Sequence, residues 1–230
     1  MQGATPKTFV LAALLRASVF LTLLFAACIG LIRAQPYDDS HLRAFLAPPA
    51  DCAMPCFMGI RPGATTMNEA RHILETHEWV GQVHEGIFTE GSTASGWIYW
   101  LWSGQQPEFL QTDEGPGDFI RIEHGIVKSV SVYTSIPLGT VWLRYGQPTH
   151  GTVDVVTITA GNRYEVRMLS LSAYSDLGLE VTSYPPCPAS RQAFWDTPVW
   201  LTYTSQPQAE PMAMDRFSDL LAYHNQLCRG

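Results

Sequence analysis

Three histidines between residues 72 and 84 form the first group in the chain that has metal-binding chemistry. His72, His77 and His84 lie among glutamates, but their spacings are five and seven residues. A helical zinc site of the His-Glu-x-x-His type needs two imidazoles four residues apart, so that both lie on one face of the helix. The sequence therefore predicts helix-surface and helix-end histidines rather than a metal centre.

Other motifs that support catalysis or cofactor binding do not occur in the sequence. The segment 112–118 clusters acidic residues, yet it lacks the alternating ligands of a calcium loop and is predicted to be a hairpin tip. The glycines and serines of 91–96 miss the register of a nucleophile elbow, and no phosphate-binding Gly-x4-Gly-Lys occurs. We predict no metal, no cofactor and no catalytic residue.

The most unusual feature is the aromatic run Trp97, Tyr99, Trp100 and Trp102. In a strand, Trp97 and Tyr99 face one side while Trp100 and Trp102 face the other. We expect one pair to fill the core and the other to form a platform for protein or glycan, unless a helix or the N-terminal segment covers it. We assign binding to Trp100 and Trp102.

Composition excludes two classes of protein. Hydrophobic residues make up 46% of the chain and charged residues 15%, so the chain can bury a core and is not wholly disordered. The net charge of -7 argues against nucleic-acid binding, which is usually associated with a basic surface.

The N-terminal segment predicts a membrane anchor. Residues 1–34 contain Lys7, Arg16 and Arg33 but no acidic residue, and residues 17–32 carry no charge. With residues 9–15 the apolar stretch is long enough to span a bilayer if Arg16 snorkels. Three interpretations remain open: an uncleaved signal-anchor, a cleaved secretory signal, or a lipoprotein signal ending at Cys28.

The distribution of charge predicts the orientation of this anchor. Basic residues precede the apolar stretch and acidic residues follow it, which places the N-terminus in the cytoplasm and the rest outside. We therefore divide the chain into a signal-anchor or transmembrane segment (1–34), a tether (35–51) and an extracytoplasmic domain (52–230). Membrane contact is expected through residues 9–32.

Four cysteines in the exported part, Cys52, Cys56, Cys187 and Cys228, predict two disulfides. Their spacing does not match a zinc finger or ribbon. Four cysteines allow three pairings. We favour Cys56–Cys187 with Cys52–Cys228, and a Cys52–Cys56 bridge is the alternative.

Hydrophobic periodicity predicts helices and strands in a repeated order. The Thr66-x-x-Glu69 capping box begins a helix at 66–76, and the spacing of Leu138, Val141 and Tyr145 predicts a second helix. Strands are predicted at 79–84, 96–103, 119–123, 126–133, 152–159, 163–170, 177–184 and 199–204, and a last helix at 215–227. The predicted fold class is α+β, in which two helix-then-antiparallel-strands units form one sheet preceded by a single N-terminal transmembrane helix.

Two short stretches carry a family resemblance. Gly59-Ile-Arg-Pro-Gly-Ala-Thr-Thr-x-x-Glu69-Ala70 and the region from Leu138 to Pro148 resemble the SmpA/OmlA outer-membrane assembly lipoproteins and the β-lactamase inhibitor proteins. The Pro-Gly-x-Thr start also resembles that of uncharacterised bacterial membrane-anchored proteins. The resemblance implies tandem αβ modules that bind other proteins, but it assigns no partner-binding residue, and Gly139 departs from the usual opening.

The sequence as a whole favours a binding function. We expect a membrane-anchored extracytoplasmic binding or interaction domain, whose partner is an envelope protein or a glycan. The alternative is an extracytoplasmic hydrolase, in which distant carboxylates such as Glu90, Asp118 or Glu123 form an acid/base pair.

Overall fold

The computed structural model describes residues 6–34, 40–47, 52–90, 93–110, 118–148, 150–160 and 163–206, together with residues 221, 222, 225, 226 and 228. The chain divides into two compact units, Met1–Arg43 and Ala44–Gly230.

The first unit contains helix α1, Pro6–Ala34, whose stretch Ala13–Leu31 is exposed and apolar. The 29 residues of α1 span about 43 Å, more than the roughly 30 Å of a hydrocarbon core. The helix is thus long and apolar enough to serve as a single-pass membrane anchor. A short helix α2, Ser40–Leu46, follows within the predicted tether.

The first residues of the second unit, which begins at Ala44, pack against it through an aromatic ring. The ring of Phe45 lies 6.1 Å from that of Phe57 and 5.0 Å from that of Phe109. Leu46, which directly follows Phe45, is also buried. This end of the predicted tether is therefore part of a packed structure.

Helix α3, Met67–Thr76, begins at the predicted capping box. The Thr66 hydroxyl accepts the Glu69 backbone N–H at 3.3 Å, and the Thr66 backbone N–H donates to the Glu69 carboxylate at 2.9 Å. Both bonds satisfy N–H groups that the helix leaves unpaired at its start. Ala70 and Leu74 form its buried side.

An antiparallel sheet of eight strands makes up most of the second unit, which confirms the α+β class. The order in space is β1-β2-β3-β4-β8-β7-β6-β5. The strands are β1 (Val80–Glu90), β2 (Thr93–Trp102), β3 (Asp118–Glu123), β4 (Ile126–Pro137), β5 (His150–Ala160), β6 (Arg163–Tyr174), β7 (Leu179–Ser183) and β8 (Pro198–Thr204). Helix α4, Leu138–Tyr145, separates β4 from β5, and a short helix α5, Arg191–Trp195, precedes β8.

The first hairpin is longer than its sequence pattern predicts. Strands β1 and β2 pair from Val80↔Trp102 to Glu90↔Thr93. Glu85 and Gly86 interrupt the apolar pattern of β1, but its backbone remains paired with β2. By contrast, the hairpin at His124-Gly125 is confirmed, and both turn residues have positive φ, 54° and 76°.

The two sides of the sheet differ in burial. One side, named here the packed face, carries side chains that are at most 3% exposed: Ile98, Trp100, Ile120, Val130, Val132, Leu179, Val181, Val199, Leu201 and Tyr203. Arg71 of α3 meets Glu85 on this side, and Tyr145 of α4 contacts Tyr174. The other side, named the open face, carries mostly half-buried and exposed side chains.

The cysteines pair as Cys52–Cys56 and Cys187–Cys228, with Cα atoms 6.0 and 5.6 Å apart. The favoured pairing of Cys56 with Cys187 is therefore wrong. A local turn brings Cys52 and Cys56 together, whereas the Asn225 side chain makes two hydrogen bonds to the Ala189 backbone, at 2.9 and 3.0 Å, beside the second bridge. Most of the predicted helix 215–227 lies outside the described residues.

Gly178 provides a test of how the Cys52–Cys56 loop packs on the sheet. Its φ is +59°, and an added Cβ would lie 2.5 Å from the Thr204 carbonyl oxygen and 2.7 Å from Pro55 Cγ. We expect Gly178→Ala to lower the free energy of unfolding by about 3 kcal/mol, because a backbone atom would have to move.

Gly125→Ala is the matched control for this substitution. Gly125 also has positive φ, +76°, but nothing lies within 4 Å of its added Cβ. Gly125→Ala should lower the free energy of unfolding by about 1 kcal/mol, the cost of the backbone conformation alone. Urea unfolding of the full chain in detergent, followed by tryptophan fluorescence, measures both. Equal losses would contradict the close approach at Gly178.

Candidate functional site

Strand β2 separates its aromatic residues between the two faces. Trp97 and Tyr99 are 51% and 43% exposed on the open face, whereas Trp100 is 3% exposed on the packed face. The predicted alternation is confirmed. The expectation that Trp100 and Trp102 form the accessible pair is corrected, because Trp100 is buried; Trp97 and Tyr99 hold the accessible positions.

Trp100 and Trp102 have a packing role. The Trp100 ring lies 5.6 Å from the Trp102 ring and stacks with Phe57 at 6.4 Å. The indole nitrogens of both tryptophans are buried, and neither has a hydrogen-bond partner among the described residues. Phe57, which follows the Cys52–Cys56 loop, packs on Trp100, so the N-terminal part of the domain covers this face of β2.

A groove of about 780 Å³ lies on the open face over β2 and β3. Antiparallel pairing places Trp97 opposite Arg121 and Tyr99 opposite Phe119, so these four side chains are neighbours. The lining residues are Ser95, Gly96, Trp97, Tyr99, Phe119, Arg121, Ile122 and Glu123. The volume lies within the range of small-molecule sites, and the lining is mainly apolar with a few polar groups.

A histidine supports one wall of this groove. His84 of β1 lies opposite Tyr99 of β2 in the ladder. The two rings stack with centroids 5.1 Å apart and planes 18° apart. The stack limits the orientations of the Tyr99 ring, so Tyr99 presents a preorganised surface to the groove.

The polar rim of the groove is formed by charged residues at the end of the β3–β4 hairpin. Arg121 Nη2 lies 3.0 Å from Glu123 Oε1, and Lys128 Nζ lies 3.8 Å from Glu123 Oε2. Lys128 also donates to Gln206 at 3.2 Å. These pairs are exposed and contribute little to stability. They leave a rim with both donors and acceptors, in which two cations share one carboxylate.

Next to the groove, the open face is rich in hydroxyl groups. The Ser131 and Thr202 hydroxyls lie 3.0 Å apart across the β4–β8 ladder. Tyr133 and Trp200 follow along the same two strands, with ring centroids 5.6 Å apart. The centre of the open face therefore carries a pair of hydroxyl groups followed by a pair of aromatic rings.

The carboxylates considered for hydrolysis do not converge. Asp118 and Glu123 lie five residues apart on β3, and their burial follows the alternation of that strand, which places them on opposite faces. The side chain of Glu90 lies outside the described residues. An acid/base pair of Asp118 and Glu123 is therefore excluded by the geometry of the strand.

Asp118 is a buried carboxyl group at the start of β3. Its Oδ1 accepts the Tyr133 backbone N–H at 2.6 Å. Burial raises the pKa of Asp118 to about 6, while the bond from Tyr133 acts in the opposite direction. The nearby Trp102 indole also lowers the pKa of Asp118, but its N–H forms no hydrogen bond with the carboxyl group. The group connects β3 to β4 within the core.

The three histidines considered as metal ligands lie on separate parts of the fold. His72 lies in α3, His77 follows the end of α3, and His84 lies in β1. Burial lowers the pKa of His77, whose Nδ1 accepts the Trp79 backbone N–H at 3.1 Å. Among the described residues no three His, Cys, Asp or Glu side chains group to hold a metal. The acidic segment 112–118, predicted to be a hairpin tip, lies outside those residues except for Asp118.

Sequence reasoning missed the part of the groove contributed by β3. Phe119, Arg121 and Glu123 alternate on one side of a strand whose hairpin was predicted. That alternation alone could have placed them on one face. Their position beside Trp97 and Tyr99 depends on the β2–β3 pairing, across a segment that has no strong local pattern.

Comparisons with protein-family models, with curated proteins and with solved structures give no match to this chain. The resemblance to tandem αβ modules stays a prediction.

Asp118→Asn tests the buried carboxyl group through its pH dependence. The pKa of Asp118 is raised from 3.8 to about 6 on folding, so the folded state binds this proton more tightly than the unfolded state. Its contribution to stability therefore falls as pH rises from about 4 to about 6 and is constant above that range. Asn cannot ionise and keeps an oxygen that accepts the Tyr133 N–H.

We expect Asp118→Asn to raise the free energy of unfolding by up to about 3 kcal/mol near pH 7.5, and to lose this advantage near pH 4. Denaturant unfolding at both pH values measures the difference. Asp176→Asn, at an exposed carboxylate before β7, is the control and should show no comparable pH-dependent gain. A gain from Asp118→Asn that is the same at both pH values would contradict the assignment.

Proposed function

We propose that this chain is a single-pass, membrane-anchored binding protein whose domain lies outside the cytoplasm and binds its ligand on the open face. The observation that carries the proposal is the groove formed by Trp97, Tyr99 and Phe119. Large aromatic side chains are exposed there on a sheet whose other face is buried. Exposed aromatic clusters with a polar rim are typical of recognition surfaces.

Two further observations support the location. Helix α1 is long and apolar enough to cross a membrane and is 0% buried over the span. The four cysteines that follow it all form disulfides, which persist in oxidising compartments. Basic residues before the apolar span favour a cytoplasmic N-terminus.

The order of elements supports a repeated architecture. Helix α3 precedes strands β1–β4, and helix α4 precedes β5–β8. The β4–β8 ladder connects the two groups in the middle of the sheet. We propose that these are two related αβ units of the kind found in the families that the sequence resembles.

The location is tested by fractionation. The protein should remain in the membrane after alkaline extraction, because α1 is buried in lipid. Its domain should be cleaved by protease added from the extracytoplasmic side. Non-reducing peptide mapping should recover Cys52–Cys56 and Cys187–Cys228. Reduced cysteines in freshly isolated protein, or protection of the domain from external protease, would contradict the proposal.

The binding face is tested by a photo-crosslinking residue introduced at position 97 in cells. We expect a discrete adduct there, since Trp97 lines the groove. The control is the same residue at position 143, because Leu143 is 90% exposed on α4, away from the open face. Equal crosslinking at both positions, or none at position 97, would count against the open face as the binding surface.

A further inference from the structure

We propose that the groove over β2 and β3 binds a neutral glycan chain, with sugar rings stacked on Trp97 and Tyr99 and ring hydroxyls bonded to Arg121 and Glu123. The inference rests on the proposed function and specifies its ligand class. It follows from three properties of the groove: its flat aromatic surfaces, its paired rim charges and its size.

The aromatic surfaces are arranged in a line. Trp97 and Tyr99 are two residues apart on one strand and face the same side, which separates their Cβ atoms by roughly 7 Å. Both are about half exposed, and His84 supports the Tyr99 ring. The C–H groups on one face of a sugar ring are weakly positive, and the face of an aromatic ring is negative. Two such surfaces in a row suit successive units of a chain.

The rim provides the groups that sugar hydroxyls need. A hydroxyl both donates and accepts, and two neighbouring hydroxyls match a planar group with two donors or two acceptors. Arg121 supplies the donors and Glu123 the acceptors, 3.0 Å apart. Glu123 also pairs with Lys128, which is bonded to Gln206. The three charges leave one excess cation, but the Glu123 carboxylate can only accept hydrogen bonds, so it favours a ligand whose hydroxyls donate over one that presents only anionic oxygens.

The size of the groove favours a glycan over a protein surface. Its volume of about 780 Å³ lies within the usual range for small ligands. A stable protein–protein contact needs about 800 Å² on each partner with an apolar centre. Beyond the groove, towards the centre of the sheet, the open face carries the hydroxyls of Ser129 and Thr202 next to the half-buried rings of Tyr133 and Trp200. Such hydroxyl groups would extend the polar contacts of a glycan.

The test is calorimetric titration of the full chain with short neutral oligosaccharides made of glucose, mannose or N-acetylglucosamine. The protein is kept in a detergent without a sugar headgroup, so that the detergent does not compete. Trp97→Leu removes the flat ring but keeps an apolar side chain, whereas Trp97→Phe keeps a ring. Leu101→Ala is the matched control, because Leu101 is 54% exposed on the same strand and face but does not line the groove.

We expect at least one of these oligosaccharides to bind. Trp97→Leu should weaken that binding about tenfold or more, while Trp97→Phe and Leu101→Ala should remain within about threefold of the natural protein. Glu123→Gln should weaken binding without changing the far-ultraviolet circular dichroism spectrum. Equal weakening by Trp97→Leu and Trp97→Phe would overturn the stacking contact.

The remaining outcomes separate this inference from the proposed function. A protein adduct at position 97, with no oligosaccharide bound, overturns the glycan and leaves the binding face standing. Binding only of anionic oligosaccharides, added as a comparison, overturns the neutral ligand class. If neither an adduct nor oligosaccharide binding is found, both proposals fail.

Discussion

The pairing of β4 with β8 is the contact on which the rest of the domain depends. These strands are separated by about 70 residues of sequence, yet they lie side by side at the centre of the sheet, from Ser129↔Thr204 to Tyr133↔Trp200. Their register sets Val130 and Val132 beside Tyr203 and Leu201 on the packed face. A shift by one residue would turn every side chain of one strand to the opposite face. This ladder therefore gives the two halves of the sheet a common packed face and a common open face.

The packed face is completed by segments that are distant in sequence. Phe57 contacts both Trp100 of β2 and Tyr203 of β8. It directly follows the Cys52–Cys56 bridge, whose Pro55 lies against Gly178. The start of the domain thus packs against strands from both halves of the sheet. This packing is why Trp100 is buried and cannot take part in recognition, while its neighbours in sequence remain accessible.

The two faces divide the aromatic residues by role. On the packed face they contact one another within the core, and the Asp118 carboxyl lies in the same layer at the start of β3. On the open face Tyr99 is held by His84, and the charged groups of the β3–β4 hairpin lie at the end of the groove. A single strand can supply both the core and the recognition surface because its side chains alternate.

Local sequence alone determined several features of this protein. The apolar helix α1, the capping box of α3, the position of α4 and the His124-Gly125 hairpin follow from residues that are close in sequence. The alternation of β2 was also predictable, and so was the presence of two disulfides. The helices, the strand alternation and the turn depend on contacts within a few residues, whose periodicity and turn preferences can be read directly. The two disulfides were predicted instead from the even number of cysteines that follow the apolar segment.

The tertiary structure decided which face of β2 is accessible, which cysteines pair, and which residues of β3 complete the groove. Each of these depends on contacts between segments far apart in sequence: Phe57 with Trp100, Ala189 with Asn225, and Phe119 with Tyr99. Periodicity shows that a strand has two faces but does not say which one the rest of the chain will cover. That choice follows from the packing of the whole domain, because apolar surface is buried wherever distant segments meet.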